Sequence, residues 1–290
     1  MPADASLLSS VWLVAGLAGI VGLVVGSFLN VVVHRLPAML DADWKRQCRE
    51  LLEGDAALAP ADPPARFNLA TPASHCPGCG HRIRAWENVP LVSWAALRGR
   101  CSSCGWRIPL RYPLLELTAG VLAAAVAWRF GASWEMLAAL ALTWSLLALA
   151  VIDLETMLLP DDITLPLLWL GLLVNTQGLF APLAAAVIGA AAGYLSLWLV
   201  YQGFRLATGK EGMGFGDFKL LAVVGAWLGW QMLPLVILLA SVVGAIVGVA
   251  LVATGARERS RPIPFGPFLA AAGWIALVGG DAILRAYLGG

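Results

Sequence analysis

Apolar residues in this chain gather into runs of about 20, the length a helix needs to cross hydrocarbon. The first covers 7–33. A polar region at 34–111 follows, holding more than half of the Lys and Arg and all five cysteines. Further runs lie at 113–130, 134–152, 163–180, 183–204, 218–232, 233–252 and 264–288. The apolar stretch after Asp217 is too long for one crossing and is expected to fold back at Trp230-Gln231. An amphipathic helix is expected over 44–58, with a linker beyond it to residue 72. The pattern predicts an all-α polytopic membrane protein of about eight transmembrane helices, with a small cytoplasmic domain between the first and second spans. It divides the chain at 1–33, 34–111 and 112–290. Glycine and alanine inside the later spans, at Gly189 to Gly193 and Gly244 to Gly248, suit close helix packing.

Composition agrees. The chain is 60% hydrophobic and 13% charged, with a mean hydropathy of +0.80. Soluble proteins carry about 25% charged residues, so a soluble enzyme is excluded and membrane lipid is the expected surrounding. A net charge of +1 gives no reason to expect a nucleic-acid partner. The segment 6–33 lacks a basic start and exceeds a signal-peptide core in length, so no cleavable signal peptide is expected. With both ends outside, 17 of the 19 Lys and Arg fall on the side of the polar region. Basic residues concentrate on the cytoplasmic side, which places that region in the cytoplasm.

Two acidic residues stand out against this apolar background. In Gly212-Met213-Gly214-Phe215-Gly216-Asp217 a carboxylate follows three alternating glycines and enters an apolar run. An ionisable residue at a membrane segment is a functional candidate by default. Gly212, Gly214 and Gly216 permit close approach of another backbone, so they are candidates for holding an extended substrate by edge pairing. Asp153 ends the span 134–152, and the eight-span topology brings it to the same membrane depth as Asp217. Two carboxylates from different helices at one depth are what an aspartic protease requires: a shared proton makes one a base and the other an acid. The same residues allow other readings. Asp217 could cap its helix, and the pair could carry protons in a transporter. Asp161 and Asp162, after Pro160, read as helix-capping residues, and Glu155 as a solvated interfacial charge.

Cys76-Pro77-Gly78-Cys79 and Cys101-Ser102-Ser103-Cys104 enclose 21 residues, from Gly80 to Arg100. Each Cys-x-x-Cys can offer two thiolates to one ion, and two such turns complete a tetrahedral zinc site. Disulfides are disfavoured in a reducing cytosol. A site closed by Cys76, Cys79, Cys101 and Cys104 has no open position, so zinc here is expected to be structural, in a zinc-ribbon-like domain. Cys48 falls outside the pattern. His75 and His81 flank the first turn as surface residues or spare ligands. A third reading is therefore a membrane-anchored zinc-ribbon scaffold that recruits partners.

An ordered set of motifs resembles the bacterial type IV prepilin peptidases, bifunctional leader peptidases and N-methyltransferases among the intramembrane aspartic proteases. The set includes Gly26-Ser27-Phe28-Leu29-Asn30-Val31 with His34-Arg35-Leu36-Pro37, the paired cysteines, Glu87 to Trp94 and Arg111-Tyr112-Pro113-Leu114-Leu115-Glu116. It continues through Asp153, Leu158-Leu159-Pro160-Asp161 and Gly214-Phe215-Gly216-Asp217. The resemblance spans nearly the whole chain. It implies that Asp153 and Asp217 are the catalytic pair of a membrane peptidase domain at 112–290. It implies cleavage of prepilins and pseudopilins after the glycine that ends a basic leader, then methylation of the new amine, in the bacterial inner membrane. S-adenosylmethionine enters by resemblance alone, because no Gly-x-Gly-x-x-Gly motif opens a βαβ unit. Glu87 is the candidate for orienting the amine or the sulfonium, or else belongs to an ordinary polar turn. A peptidase lacking methylation is the narrower alternative.

Overall fold

The computed structural model describes residues 3–53, 67–255 and 263–288. Among these the structure is helical, and β-pairing is limited to isolated bridges of His75 with Arg82 and Arg100 with Arg107. The chain forms two compact units, Met1–Gly131 and Ala132–Gly290.

In the first unit α1 (Ala3–Glu53) packs along α3 (Arg111–Phe130), with a 3-10 turn at Ala85–Asn88 and the short α2 (Val92–Ala96) between them in sequence. Gly22 and Gly26, one helical turn apart, let the two backbones touch. A Cβ on Gly22 would stand 2.6 Å from the Ala119 carbonyl oxygen, and one on Gly26 2.7 Å from the Glu116 Cα. Lipid is as apolar as leucine, so contact between small residues is what joins helices there.

The first helix does not stop at residue 33. It continues through Pro37 to Glu53, because 41–53 is rich in helix formers laced by Lys45–Asp41 (2.6 Å) and Arg46–Asp43 (2.9 Å) ion pairs. The amphipathic helix expected at 44–58 is thus the end of α1 as far as Glu53. Residues 54–58, the first part of the linker, and Arg66, Arg257, Arg259 and Arg261 lie outside the described residues.

The second unit contains α4 (Trp134–Thr156), α5 (Asp161–Asn175), α6 (Leu183–Thr208), α7 (Phe215–Leu228), α8 (Leu233–Ala253) and α9 (Gly266–Leu288). Gly229, at φ +81°, ends α7, and a 3-10 turn at Trp230–Met232 leads into α8. The long apolar stretch therefore folds back where the sequence indicated.

Among the described residues, five helical segments are long and apolar enough to cross a membrane: Val11–Leu52, Arg111–Phe130, Trp134–Thr156, Leu183–Thr208 and Trp230–Ala253. Their outward faces carry large apolar side chains such as Trp12, Ile246 and Val249, as lipid contact requires. The chain is a multi-pass membrane protein. Eight helices stand at the eight expected spans, but α5 and α7 have 15 and 14 residues. At 1.5 Å per residue these reach only about 22 Å, short of the ~30 Å hydrocarbon thickness.

α7 compensates by being enclosed. Ten of its residues, from Asp217 to Trp227, are buried. Gly193 of α6 lies against the Leu221 carbonyl, where a Cβ would be 2.6 Å from the oxygen, and Gly273 of α9 lies against Val224, at 2.8 Å. Gly189 and Gly225 meet backbone to backbone, and Gly171 of α5 faces the Trp227 indole. Asn175, 1% exposed, secures the far end. Its Nδ2 donates to the Ala226 and Trp227 carbonyls (2.9 and 2.8 Å), and its Oδ1 accepts from Phe180 and Ala181 (3.0 and 3.1 Å). Asn175→Ala strands these groups in an apolar setting. It should cost at least about 2 kcal/mol and lower the thermal unfolding midpoint in detergent, read by intrinsic fluorescence.

Candidate functional site

Asp153 occupies the last turn of α4. Met157, in the left-handed conformation at φ 56°, caps that helix by donating its N–H to the Asp153 carbonyl (2.9 Å). The chain then turns through Leu158 to Pro160 into α5. Asp153 is 5% exposed, and its Oδ2 accepts the backbone N–H of Gly266 at 3.0 Å. Gly266 is the first residue of α9, whose opening amides have no partner within the helix. A helix N-terminus favours an anion, so the carboxylate and the helix end satisfy each other.

Asp217 lies in the first turn of α7, 8% exposed. It does not cap that helix: Gly214 occupies the capping position, and no side chain caps it. Asp217 is instead within Coulombic reach of Asp153. Two buried carboxylates, from α4 and α7, therefore lie within electrostatic reach of each other, with an amide fixing one of them.

Leu159 is wedged beside the pair. A Cβ on Gly216 would lie 2.7 Å from the Leu159 Cβ, and one on Gly266 would lie 3.3 Å from its Cδ1. Gly212 faces the Phe204 ring in the same manner, at 2.7 Å. Gly214 alone of the three glycines has room, with the Asp217 Oδ2 3.9 Å from a Cβ placed there.

The helix-capping expectation for Asp161 gives way to another role. Pro160 holds the capping position of α5, and Asp161 receives Lys219 Nζ on both oxygens at 2.7 Å. The lysine two residues past Asp217 is thereby tied to α5. Glu155 is exposed.

In the first unit the two cysteine turns repeat each other. The Cys76 and Cys101 amides donate to the His81 and Trp106 carbonyls, each at 2.8 Å. The Gly80 and Gly105 amides donate back to the Cys76 and Cys101 carbonyls. Gly80 and Gly105 adopt φ of +72° and +73°, which glycine adopts without strain. The four sulfurs lie within 4.8 Å of one another, with Cys76 and Cys104 3.8 Å apart. Tetrahedral ligands at ~2.3 Å from an ion stand about 3.8 Å apart, so the cluster fits a four-thiolate metal site. The Cys101 thiol is drawn down to about 6, first by the Cys104 backbone amide and then by that of Ser103. Cys48 is exposed on α1, outside the cluster.

Glu87 braces the two turns. Its carboxylate accepts the Ser102 hydroxyl from the second turn, the Arg84 amide (2.7 Å) and His81 Nε2 (3.2 Å). These donors, Ser102 foremost and then Arg84, bring its pKa down to about 2. It is an anion committed to its own fold. Beside it a cavity of about 310 Å³ is walled by Ser27, Asn30 and Glu116 of the long helices and by Cys76, Trp94 and Trp106.

Sequence reasoning picked out the four cysteines and both aspartates. It missed Gly266, Leu159 as a wedge and Lys219 as a partner of Asp161. A glycine between Phe265 and Pro267 at the start of an apolar run was the available signal. The purified protein is expected to carry one metal ion per chain. Elemental mass spectrometry should find that ion lost from Cys76→Ser/Cys104→Ser protein.

A family model described as the bacterial peptidase A24 N-terminal domain matches residues 20–130, and one described as the type IV leader peptidase family matches 140–249. Proteins named prepilin leader peptidase/N-methyltransferase are similar over almost their full length. That of Stutzerimonas stutzeri is 59% identical over 270 residues, 93% of this chain and 92% of the relative. That of Pseudomonas aeruginosa is 58% identical over 269 residues, 93% and 91% respectively. That of Aeromonas hydrophila is 56% identical over 277 residues, 96% and 94%. No solved structure matches the chain. With both halves matched and such identity across the whole, the chain belongs to the type IV leader peptidase family.

Proposed function

We propose that this chain cleaves the basic leader from prepilins and pseudopilins after a glycine and then N-methylates the new terminal residue. The relatives' shared name supports both activities and does not favour proton-coupled transport by the same carboxylates. The observation that carries the peptidase reading is the buried Asp153–Asp217 pair, with the Gly266 amide on one member.

Hydrolysis needs a base for water and an acid for the carbonyl oxygen. A carboxylate pair holding one proton supplies both. The ionised member takes a proton as the water oxygen bonds to the carbonyl carbon. Its partner gives its proton to the carbonyl oxygen. Collapse of the resulting diol breaks the C–N bond, and the leaving amine takes up a proton. The Gly266 amide holds Asp153 in register for this exchange. Gly214 presents the open backbone to the scissile segment, while Gly212 and Gly216 set the turn around it.

The four cysteines are read as a structural zinc site, closed to chemistry because all four positions are filled by thiolates. S-adenosylmethionine would supply an electrophilic methyl group. The cavity of about 310 Å³ is large enough for a small ligand, and its lining includes Trp94 and Trp106, a residue type that can attract a sulfonium cation. The distribution of Lys and Arg supports a cytoplasmic position for this first unit and residence in the inner membrane.

Asp153→Asn and Asp217→Asn should each lower precursor cleavage roughly 10²–10⁴-fold, while methylation of an already cleaved substrate persists. Mass spectrometry of the products reads both. Cleavage at the normal rate in either variant would overturn the mechanism. Gly266→Ala would place a methyl 2.6 Å from the Asp153 Oδ2. The displaced carboxylate should reduce kcat about 10²-fold with a smaller change in KM.

A further inference from the structure

The cavity in the first unit has a second carboxylate on its wall. Glu116, in α3 beside the close contact with Gly26, is 9% exposed. Its Oε2 accepts the Leu91 amide at 2.9 Å, and the Ser27 hydroxyl is its other neighbour. Both donors are neutral. Among the described residues no cation pairs with it: Arg35, on the same cavity, gives its guanidinium nitrogens to the Asn68 and Pro72 carbonyls at 2.8 and 2.7 Å, and His81 is engaged by Glu87. Leu91 holds φ 59° and ψ −44° to present its amide, a conformation that costs a non-glycine residue about 1–3 kcal/mol.

A buried carboxylate with only neutral partners, facing a cavity, is a site for an incoming cation. Glu87, which lines the same cavity, already accepts hydrogen bonds from Ser102, Arg84 and His81. We propose that Glu116 recognises the free α-ammonium of the cleaved substrate and takes up its proton at Oε1, the oxygen that Leu91 leaves open. An amine must be neutral before it can accept a methyl group, so one residue would both anchor the terminus and deprotonate it. Glu116 lines the cavity together with Ser27 and Asn30 of the long helices and with Cys76 and Cys101 of the cysteine turns. This assignment rests on the proposed methylation and names the residue that receives its acceptor.

Glu116→Gln keeps an oxygen for the Leu91 amide and removes the charge, so it separates recognition from bracing. With a pre-cleaved pilin peptide, kcat/KM for methylation should fall roughly tenfold to hundredfold, the worth of a charge-assisted hydrogen bond. Equilibrium dialysis should find binding of S-adenosylmethionine unchanged, and precursor cleavage by the same preparation reports its folding. In fluorescence anisotropy the parent protein should prefer the free-amine peptide to its N-acetylated form, and the variant should not. Methylation at the parent rate, a retained preference for the free amine, or weakened donor binding in place of weakened peptide binding would each overturn the assignment. If the parent protein methylates no substrate, the methylation reading fails separately, and the amine preference still decides the role of Glu116.

Discussion

The second unit depends on how closely helices can approach a segment that is walled in on several sides. α7 is too short to span the hydrocarbon unaided and too apolar to face water, so it must be held by its neighbours. Side chains would keep those neighbours apart. Glycines at 189, 193 and 225 remove them at the α6 contact, and glycines at 171 and 273 make room for Trp227 and Val224. At one end Asn175 ties the last carbonyls of α7 to the loop that follows α5. At the other end, and for the same reason of enclosure, Asp217 is buried. Its low exposure follows from the packing of the whole helix and needs no local lid.

The first unit solves a different problem with different means. Its helices α1 and α3 also meet through glycine, but the polar segment between them has little apolar material to bury. Two near-identical turns, four sulfurs and one shared carboxylate replace a core. Glu87 matters here because it takes a hydrogen bond from each turn, so the relative placement of the cysteine pairs depends on it. Glu116, on the same cavity, is held by the Leu91 amide and Ser27 instead.

Much of this was legible in the sequence because its cause is local. Apolar run length fixes a span, Cys-x-x-Cys fixes a metal turn, and a carboxylate at the edge of an apolar run announces itself by its desolvation cost. The fold-back near Trp230 was legible from length alone. Non-local features were not. Nothing near Asp153 indicates that its partner amide comes from Gly266, 113 residues later, outside the 140–249 stretch that the peptidase model matches. The ion pair of Lys219 with Asp161 and the seating of Leu159 between two glycines likewise arise only when α5, α7 and α9 assemble. The apolar run of the first span ends at residue 33, and helix propensity with an i,i+4 ion pair carries α1 on to Glu53.

The Gly266 amide also bears on when the site comes into being. Its three parts arrive in the order Asp153, Asp217, Gly266 as the ribosome elongates the chain. A nascent polypeptide halted before residue 266 would carry both aspartates and lack the hydrogen-bond donor that holds one of them. On the proposed aspartate-pair reading, the contact that fixes Asp153 is therefore completed only when α9 has been made.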